Sequence, residues 1–509
     1  MTTNKIKSLD ELAVITRELK QRGKTVVQCH GCFDLMHPGH IQHFEAAKKQ
    51  GDVLIVTVTS DDYVNKGPDR PVFPEQSRMR SIAALHAVDY VALSSWPTAE
   101  QTIRLLKPDV YVKGQDVAKS LNSPTSLASK EKDVVHEHGG RFHITNEPIV
   151  FSSSSLLVNH FSSYPEETRQ FLNAFKNKYS QEDVLNYLKS IQNKRILVIG
   201  DTIIDQYHYS HGVGSSMKGN MMSVKFDEEE VFAGGVLVAA NTIAGFSEKV
   251  DLVTCLGENN SFEEFIRLRL ASNIRSTFFY RKGAITTIIR RYLEKIFLFK
   301  MFQVYFTDDS PLPDEEEKAV LAYLEAALPN YDAVIVFDYG FGFLTPRIVN
   351  LICRAAKVLC VNTQTNSMNR GFNFITKYPR ADFICVDESE MRLAVSDKHG
   401  AVEDLLPKIA CAVGASRVIV TLGSRGSLAY DNEQKKFYKT PVLSTKVVDR
   451  VGAGDAYFSL AAPLVVSAAP MDMVGFLGNI TGAIAVTIVG NREHVRPEEV
   501  MRFAQTLMK

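Results

Sequence analysis

The stretch Gly31-Cys32-Phe33-Asp34-Leu35-Met36-His37-Pro38-Gly39-His40 follows directly on the strand-like run Thr25–Gln28. It decides how the first third of the chain is read. A strand ends, a turn follows, and a helix starts near His40. His37 and His40 are three apart where the chain enters that helix, so both imidazoles can point toward one bound group. Helix-terminal N–H groups and the positive end of the dipole favour a phosphate there. Gly39 would let that phosphate approach the backbone closely. Such a site suits attack by a phosphate oxygen on the α-phosphorus of a nucleoside triphosphate, with pyrophosphate leaving. That reaction needs charge stabilisation and positioning more than a covalent nucleophile. Two other readings stay open. Cys29, Cys32, His37 and His40 form a C-x2-C plus two-histidine set of the kind that binds zinc, although Cys29 ends a buried-strand pattern and zinc sites usually part the two pairs by a longer loop. The two histidines could equally be structural, capping a helix.

Outward from this stretch, short apolar runs alternate with amphipathic segments. Strands are expected at Thr25–Gln28, Val53–Thr59, Tyr90–Leu93, Val110–Lys113 and near Phe142–Thr145, with helices between them at Ile41–Gln50 and Gln76–Leu85. The alternation implies βαβ units and a parallel sheet. A second series starts with RILVIGD at Arg195–Asp201 and continues through VDLVTCLG, AVIVFDYG, KVLCVNT, FICVD and VIVTLG. Between the two series the chain is polar and helix-favouring, a linker or a packed docking element.

At 509 residues the chain is too long for one core. Lys+Arg and Asp+Glu are equal at 58 each, so no global basic field points to nucleic acid or an anionic membrane. The first residues, MTTNKIKSLDEL, lack the apolar core of a signal peptide, and no uncharged apolar run reaches the length of a membrane span. The 7 scattered cysteines fit reduced, buried thiols in a cytoplasm better than a disulfide frame.

The first series resembles the cytidylyltransferase-like family, most closely the adenylyltransferase half of bifunctional ADP-heptose synthases, over roughly Leu9–Val158. The likeness rests on GCFDLMHPGH, Gly51-Asp52, Ser60-Asp61-Asp62, Lys66–Pro71, the Gln76–Arg80 helix start, Val88–Val91, Lys107-Pro108-Asp109, Val112–Asp116 and the serine run Ser152–Ser155. The resemblance implies that His37 and His40 stabilise the transferring phosphate and that Lys66 is a mobile cation meeting the triphosphate. Gly31, Phe33, Asp34, Gly39, Lys113, Ser153 and Ser154 would lie on the nucleotide side, with Asp116 on the substrate. Read without it, Lys66 and Arg70 are an exposed charged loop. His30 stands where the family is expected to carry a small polar residue, and the serine run lacks the usual threonines.

The second series ends in Asp449-Arg450-Val451-Gly452-Ala453-Gly454-Asp455. A Gly-Ala-Gly turn opening a helix presents backbone N–H groups to a phosphate, and an Asp just after it can take the proton of an attacking hydroxyl. From about Lys194 onward the chain resembles the ribokinase or PfkB-type sugar kinases. Gly200-Asp201 with Asp205, then Gly234-Gly235, Asp338-Tyr339-Gly340, Asp387–Glu390 and Thr421–Gly426 follow in the family's order. The resemblance implies that Asp455 is the general base and that Gly452, Ala453 and Gly454 form an anion hole. Asp201, Asp205, Gly234, Gly235 and Asp338 would hold the sugar. Thr421, Gly423 and Gly426 would face the nucleotide, and Asp387 and Glu390 would act indirectly on Mg2+. Arg290 or Arg291 would meet a phosphate or lie on a solvated strand face. Two departures stand out: Val236–Val238 replaces the expected Asn after the double glycine, and Asp387 replaces the Asn of N-x-x-E.

The expectation is therefore two Rossmann-like three-layer α/β domains, a HIGH-type nucleotidyltransferase fold at 1–160 and a ribokinase-like fold at 194–509, with a helical linker at 161–193. Together they would phosphorylate a sugar with ATP and transfer a nucleotidyl group from ATP or CTP to a sugar phosphate. Mg2+ is the expected cation, with K+ as a further candidate. Partners would be a sugar or sugar phosphate and nucleoside triphosphates, not nucleic acid or membrane, and a homo-oligomer is compatible. In the ADP-heptose synthases the kinase half comes first; here the order is reversed. Two rivals are a transferase carrying a non-catalytic kinase-like half and a nucleotide-binding regulator.

Overall fold

The computed structural model describes residues 4–64, 70–117 (the side chain of 116 excepted), 126–145, 164–215, 219, 221–444 and 446–508. The chain divides into two compact units, Met1–Tyr164 and Pro165–Met508.

In the first unit, strands β1 (Val26–Gly31), β2 (Val53–Thr59), β3 (Tyr90–Ser94), β4 (Val110–Lys113) and β5 (Arg141–Ile144) form one parallel sheet in the order β3-β2-β1-β4-β5. Strand residues alternate between two helical layers, as a pleated chain requires. Val27, Cys29, Leu54, Val56 and Val58 pack with Phe44, Met79 and Ile82 of the helices Pro38–Lys48 and Glu75–Ala83. Val26 and Ile55 pack on the opposite side with Leu12 and Leu106. The helix after β1 starts at Pro38, ahead of the expected His40, because proline's fixed φ and missing N–H suit the first helical position.

The second unit has a larger sheet in the order β10-β9-β6-β13-β14-β15-β16-β17-β18. Its members are β6 (Arg195–Gly200), β9 (Lys249–Asn259), β10 (Ile274–Ile285), β13 (Ala333–Asp338), β14 (Leu359–Thr363), β15 (Phe383–Asp387), β16 (Arg417–Thr421), β17 (Ser427–Asp431) and β18 (Lys436–Thr440). It is parallel through β16 and ends in two antiparallel strands. One face packs on the helices Asp314–Ala327, Pro346–Ala355 and Val402–Val413. On the other, Phe458 of the helix Ala453–Val466 meets the rings of Phe337 and Phe383. The segment after Tyr164 forms the helices Glu166–Lys178 and Gln181–Ser190. The first of them packs on this unit through Phe175 against Phe476 and Lys178 against Asp472.

A four-stranded sheet that the sequence reading did not anticipate stands apart: β7 (Thr202–Ser215), β8 (Met222–Gly235), β11 (Ile288–Glu294) and β12 (Lys300–Phe306), in the order β12-β11-β7-β8. It carries its own small apolar cluster of Tyr207, Tyr209, Phe232 and Leu293.

Both units share a device at the amino ends of their strands. Asp52, Asp89 and Asp109 each precede a strand and accept the N–H of Thr25, Leu54 and Val26 on the neighbouring strand or just before it, at 2.8, 2.7 and 2.8 Å. Asp332 and Asp382 do the same for Arg195 and Leu359 at 2.8 and 2.7 Å. Several acidic residues of the sequence motifs are therefore strand-start anchors, at the end of the sheet opposite the candidate sites.

Candidate active sites

Ligands of open α/β sheets bind beyond the carboxyl ends of strands, where the strand order reverses. In the first unit that switch lies between β1 and β4. The turn after β1 carries Gly31–His40, and β4 ends in Lys113. His37 is the N-cap residue of the helix Pro38–Lys48, and its ring stacks on that of His40 with centroids 3.9 Å apart. The edge of Phe33 packs against His40 at 5.4 Å, so this buried ring backs the histidine pair. His37 Nδ1 is buried without a hydrogen-bond partner among the described residues, as a group awaiting a ligand would be. Burial holds the His37 pKa below the ordinary histidine value. His30 lies between Thr57 and Thr59, with ring nitrogens 3.0 and 3.3 Å from their hydroxyls. Burial, reinforced by Lys113, pushes its pKa down to about 3.

Asp34 is committed elsewhere. It is 2% exposed, pairs with Arg70 at 2.7 Å, and accepts the N–H groups of Val72 and Phe73 at 2.8 and 3.1 Å. It thus fastens the chain after residue 69 to the turn after β1, and Arg70 is buried rather than on an exposed loop. Arg78, also buried, supports the same junction through Cys32 O at 2.6 Å, Thr59 O at 2.8 Å and Phe73 O at 2.9 Å. Lys113 pairs with Glu131 at 2.9 Å. Arg78 lay inside the quoted Gln76–Arg80 helix start without being singled out, and Glu131 sits in a helix that carried no motif. Gly39 opens the helix beside His40. Lys66, Ser153, Ser154 and the side chain of Asp116 lie outside the described residues. The zinc reading is corrected: Cys29 points into the apolar core with Phe44 and Val56, and no group of three or more His, Cys, Asp or Glu among the described residues could hold a metal.

In the second unit the switch lies between β6 and β13. Asp201, just past β6, reaches across it and accepts the N–H of Tyr339 at 2.9 Å. Asp338, at the end of β13, is enclosed by Tyr378 Oη at 2.6 Å, Lys377 Nζ at 2.6 Å and Asn373 Nδ2 at 3.2 Å. Both carboxylates therefore hold the loop after β13. Burial, followed by the charge of Asp338, raises the Asp201 pKa to about 6.

Asp455 sits in the first turn of the helix Ala453–Val466, where the leading amides have no intrahelical acceptor. Gly452 caps that helix at φ 78°, and a Cβ there would stand 2.5 Å from Asn491 Oδ1. Only glycine suits both the left-handed backbone and the close approach. Asp455 is 8% exposed; burial, aided by the charge of Asp205 and opposed by the Tyr339 hydroxyl beside it, raises its pKa to about 7. A small open pocket lies at this carboxyl, walled by Val238, Ala239, Val451, Ile488, Asn491 and His494. Val238 thus brings the apolar stretch after the double glycine into the wall.

Asp205, on β7, pairs with Arg291 of β11 and accepts from Asn491 Nδ2 at 2.6 Å. Gly234 lies against it: a Cβ would fall 2.1 Å from Asp205 Oδ2. Gly235 caps the helix Val236–Phe246. Arg291 is nearly buried and is no part of a solvated face, while Arg290 turns to Gln206 Oε1 at 2.8 Å. Asp387 caps the helix Glu388–Ala394. Its carboxylate accepts the Glu390 N–H at 2.7 Å, and Glu390 returns bonds to the N–H groups of Asp387 and Thr365, each at 2.8 Å. Burial, then the charge of Asp387, raises the Glu390 pKa to about 8. The turn Thr421–Gly426 is closed by a bond from Leu422 N to Gly426 O at 2.8 Å, and its Arg425 pairs with Glu388; Gly423 lies at its apex. Tyr339 and Asn491 are the residues at this site that sequence reasoning missed. Tyr339 stood inside a quoted motif, whereas Asn491 follows no recognisable pattern.

Residues 29–160 match the family described as cytidylyltransferase-like, and residues 193–497 match the pfkB family carbohydrate kinases. Among curated proteins, Bifunctional protein HldE of Nitratiruptor sp. is 45% identical over 113 residues, 22% of this chain and 24% of that protein. The protein of the same name from Geobacter metallireducens is 39% identical over 165 residues, 32% of each chain. The matched stretches span 24% and 32% of the length of these relatives. Among solved structures, ribokinase from Thermotoga maritima aligns with a TM-score of 0.48 at 18% identity, covering 61% of this chain and 99% of that one. With the kinase match extending over more than half of its length, the chain belongs to the pfkB family of carbohydrate kinases and carries a cytidylyltransferase-like unit ahead of the kinase.

Proposed function

We propose that the chain is a bifunctional enzyme making a nucleotide-activated sugar. The second unit phosphorylates a sugar hydroxyl with ATP, and the first transfers a nucleotidyl group from ATP or CTP to a sugar phosphate, releasing pyrophosphate. ADP-heptose is the nearest product by resemblance. One observation carries the reading: each unit places its chemistry-bearing motif at the switch point of its own parallel sheet.

In the kinase step the sugar occupies the cavity beside Asp455, which takes the proton of the attacking hydroxyl. The amides at Gly452–Gly454 receive the transferring phosphoryl group, and in-line transfer needs positioning and charge stabilisation above all. Asp205 meets the sugar in an orientation set by Arg291 and Asn491. Asp387 and Glu390 each accept backbone N–H groups, from one another and from Thr365, and would act only indirectly toward Mg2+. Mg2+ bound to the triphosphate would neutralise phosphate charge. In the transfer step His37 and His40 donate to the α-phosphate, while Lys66 approaches the leaving pyrophosphate.

The test is pyrophosphate release and ADP formation measured separately on the full chain, with ATP or CTP and a panel of sugars and sugar phosphates. Pyrophosphate release that vanishes in His37→Ala, and ADP formation that vanishes in Asp455→Asn, are the expected results. Neither product forming above those backgrounds would overturn the proposal.

A further inference from the structure

Polar side chains bind the four-stranded sheet to the segments around Asp455. Asp205 of β7 holds Asn491, Glu230 of β8 holds Arg492, and Lys300 of β12 holds Asp449. The third differs from the others because Asp449 lies on the turn that runs into Gly452–Gly454. Asp449 is 7% exposed and accepts four donors. Tyr207 Oη and Gly490 N donate to Oδ2 at 2.9 and 3.0 Å; Val451 N donates to Oδ1 at 3.1 Å, as does the Lys300 ammonium. One carboxylate thus fixes the residue before Gly452 and the residue before Asn491 together.

Of the four donors only Lys300 brings a charge. A buried carboxylate without an opposite charge is costly, and the cost falls on whatever backbone it organises. Burial alone would raise the Asp449 pKa; Lys300 and the two amides outweigh it and hold the carboxyl below its ordinary value. The ammonium also lies 5.8 Å from the centroid of Tyr207, a second contact fixing its place.

We propose that Lys300 is a positioning residue for phosphoryl transfer: its ammonium, delivered by the small sheet, holds the Asp449 turn and so sets the Gly452–Gly454 amides to receive the phosphoryl group. The proposal rests on the kinase reading above. In this role Lys300 acts through Asp449. The small sheet is then part of the machinery that shapes the anion hole, as well as a wall for the sugar.

The experiment compares Lys300→Met and Lys300→Arg with the unaltered full chain. ADP formation is measured with and without added methylammonium, and hydrogen exchange is followed at the Val451 and Gly490 amides. In Lys300→Met, kcat should fall about 100-fold, the loss expected of displaced catalytic groups, while KM for the sugar stays nearly constant. Methylammonium should restore kcat in a saturable manner, and Lys300→Arg should keep most of it. Both reporter amides should exchange faster in Lys300→Met and slow again with methylammonium. A purely structural lysine would instead shift stability and KM together without amine rescue, which would overturn the proposal, as would an unchanged kcat. If the unaltered chain forms no ADP dependent on Asp455, the kinase reading fails. Amide exchange that is the same in Lys300→Met would show separately that Lys300 does not set the turn.

Discussion

At the first unit's switch point the groups around the site are imidazoles kept neutral by burial: His30 is pushed down to about 3, and His37 lies below the ordinary value. At the second unit's switch point they are carboxyls that burial keeps protonated in mild acid, Asp201 up to about 6 and Asp455 up to about 7. The physical cause is the same in both, since burial disfavours whichever form is charged. Its consequences differ. Neutral histidines remain N–H donors across the physiological range, so the first site is poised at any ordinary pH. On the proposed reading Asp455 is the base, and a base with a pKa near 7 is half-protonated at neutrality, so pH should tune the second site.

The sharpest way to break this comparison is to disable one site and read the other. Asp455→Asn should lower ADP formation by about 100- to 10,000-fold, the span of general-base contributions, and leave pyrophosphate release untouched. His37→Ala should lower pyrophosphate release by about 100- to 1,000-fold, as loss of a charge-stabilising donor does, and leave ADP formation untouched. Loss of both products in either variant would mean that the two sites do not work separately.

The buried ion pairs of the two sites separate them a second time. Asp34→Ala strands Arg70, whose side chain is 7% exposed, and should destabilise the first unit by about 3–5 kcal/mol. Asp338→Ala strands Lys377, but that side chain is 30% exposed and can turn to water, so about 1–3 kcal/mol is expected there. Urea unfolding followed by the fluorescence of Trp96, the single tryptophan, reports on the first unit; far-UV circular dichroism reports on the whole chain. Equal losses would contradict the difference in exposure.

A smaller effect comes from pH. Asp455 must be ionised to accept a proton, so kcat/KM for the kinase should rise with pH through about 7, and at pH 6 only about a tenth of its plateau should remain. The acid limb of pyrophosphate release should lie below the ordinary histidine pKa, because burial shifts His37 down. Stability should run the other way in the second unit. Asp201, Asp455 and Glu390 all bind protons more tightly folded than unfolded, with pKa values of about 6, 7 and 8. Their contribution is fully present below the unfolded carboxyl range and is lost as pH rises toward 8. Coincident pH limbs for the two activities would erase the contrast.

How far the sequence could be read follows the same physics. The apolar runs RILVIGD, AVIVFDYG and VIVTLG are strands in the expected places, because a strand buried on both faces must be apolar throughout. The GCFDLMHPGH and GAGD turns were legible because glycine, proline and a capping residue punctuate the chain where a strand becomes a helix. The four-stranded sheet was not legible. Its strands mix charged and aromatic residues, as in IIRRYLE and KMFQVYF, and the second of these buries no residue fully. Motif membership also failed to separate residues facing the site from residues that build it. Asp52, Asp89 and Asp109 anchor strand starts, and Asp34 and Asp338 fasten loops, tasks that demand a carboxylate as strictly as ligand binding does.

The same ambiguity surrounds Asp387, which stands where the kinase resemblance expects Asn, and here the structure supplies a reason for the exchange. The side chain caps the helix Glu388–Ala394 through one oxygen, which accepts the Glu390 N–H at 2.7 Å. Asn offers the same oxygen, and the two residues cap helices about equally well. Asp387→Asn should therefore change stability by less than about 0.5 kcal/mol, while Asp387→Ala, which removes the cap, should cost about 1 kcal/mol. The Asn variant also removes a negative charge that raises the Glu390 pKa, so Glu390 should ionise at lower pH in Asp387→Asn. Kinase activity close to the unaltered level in Asp387→Asn, beside a measurable loss in Asp387→Ala, would show that this position is selected for capping and that the departure leaves the kinase intact. A large gain in kcat from Asn alone would show instead that the negative charge works against the triphosphate.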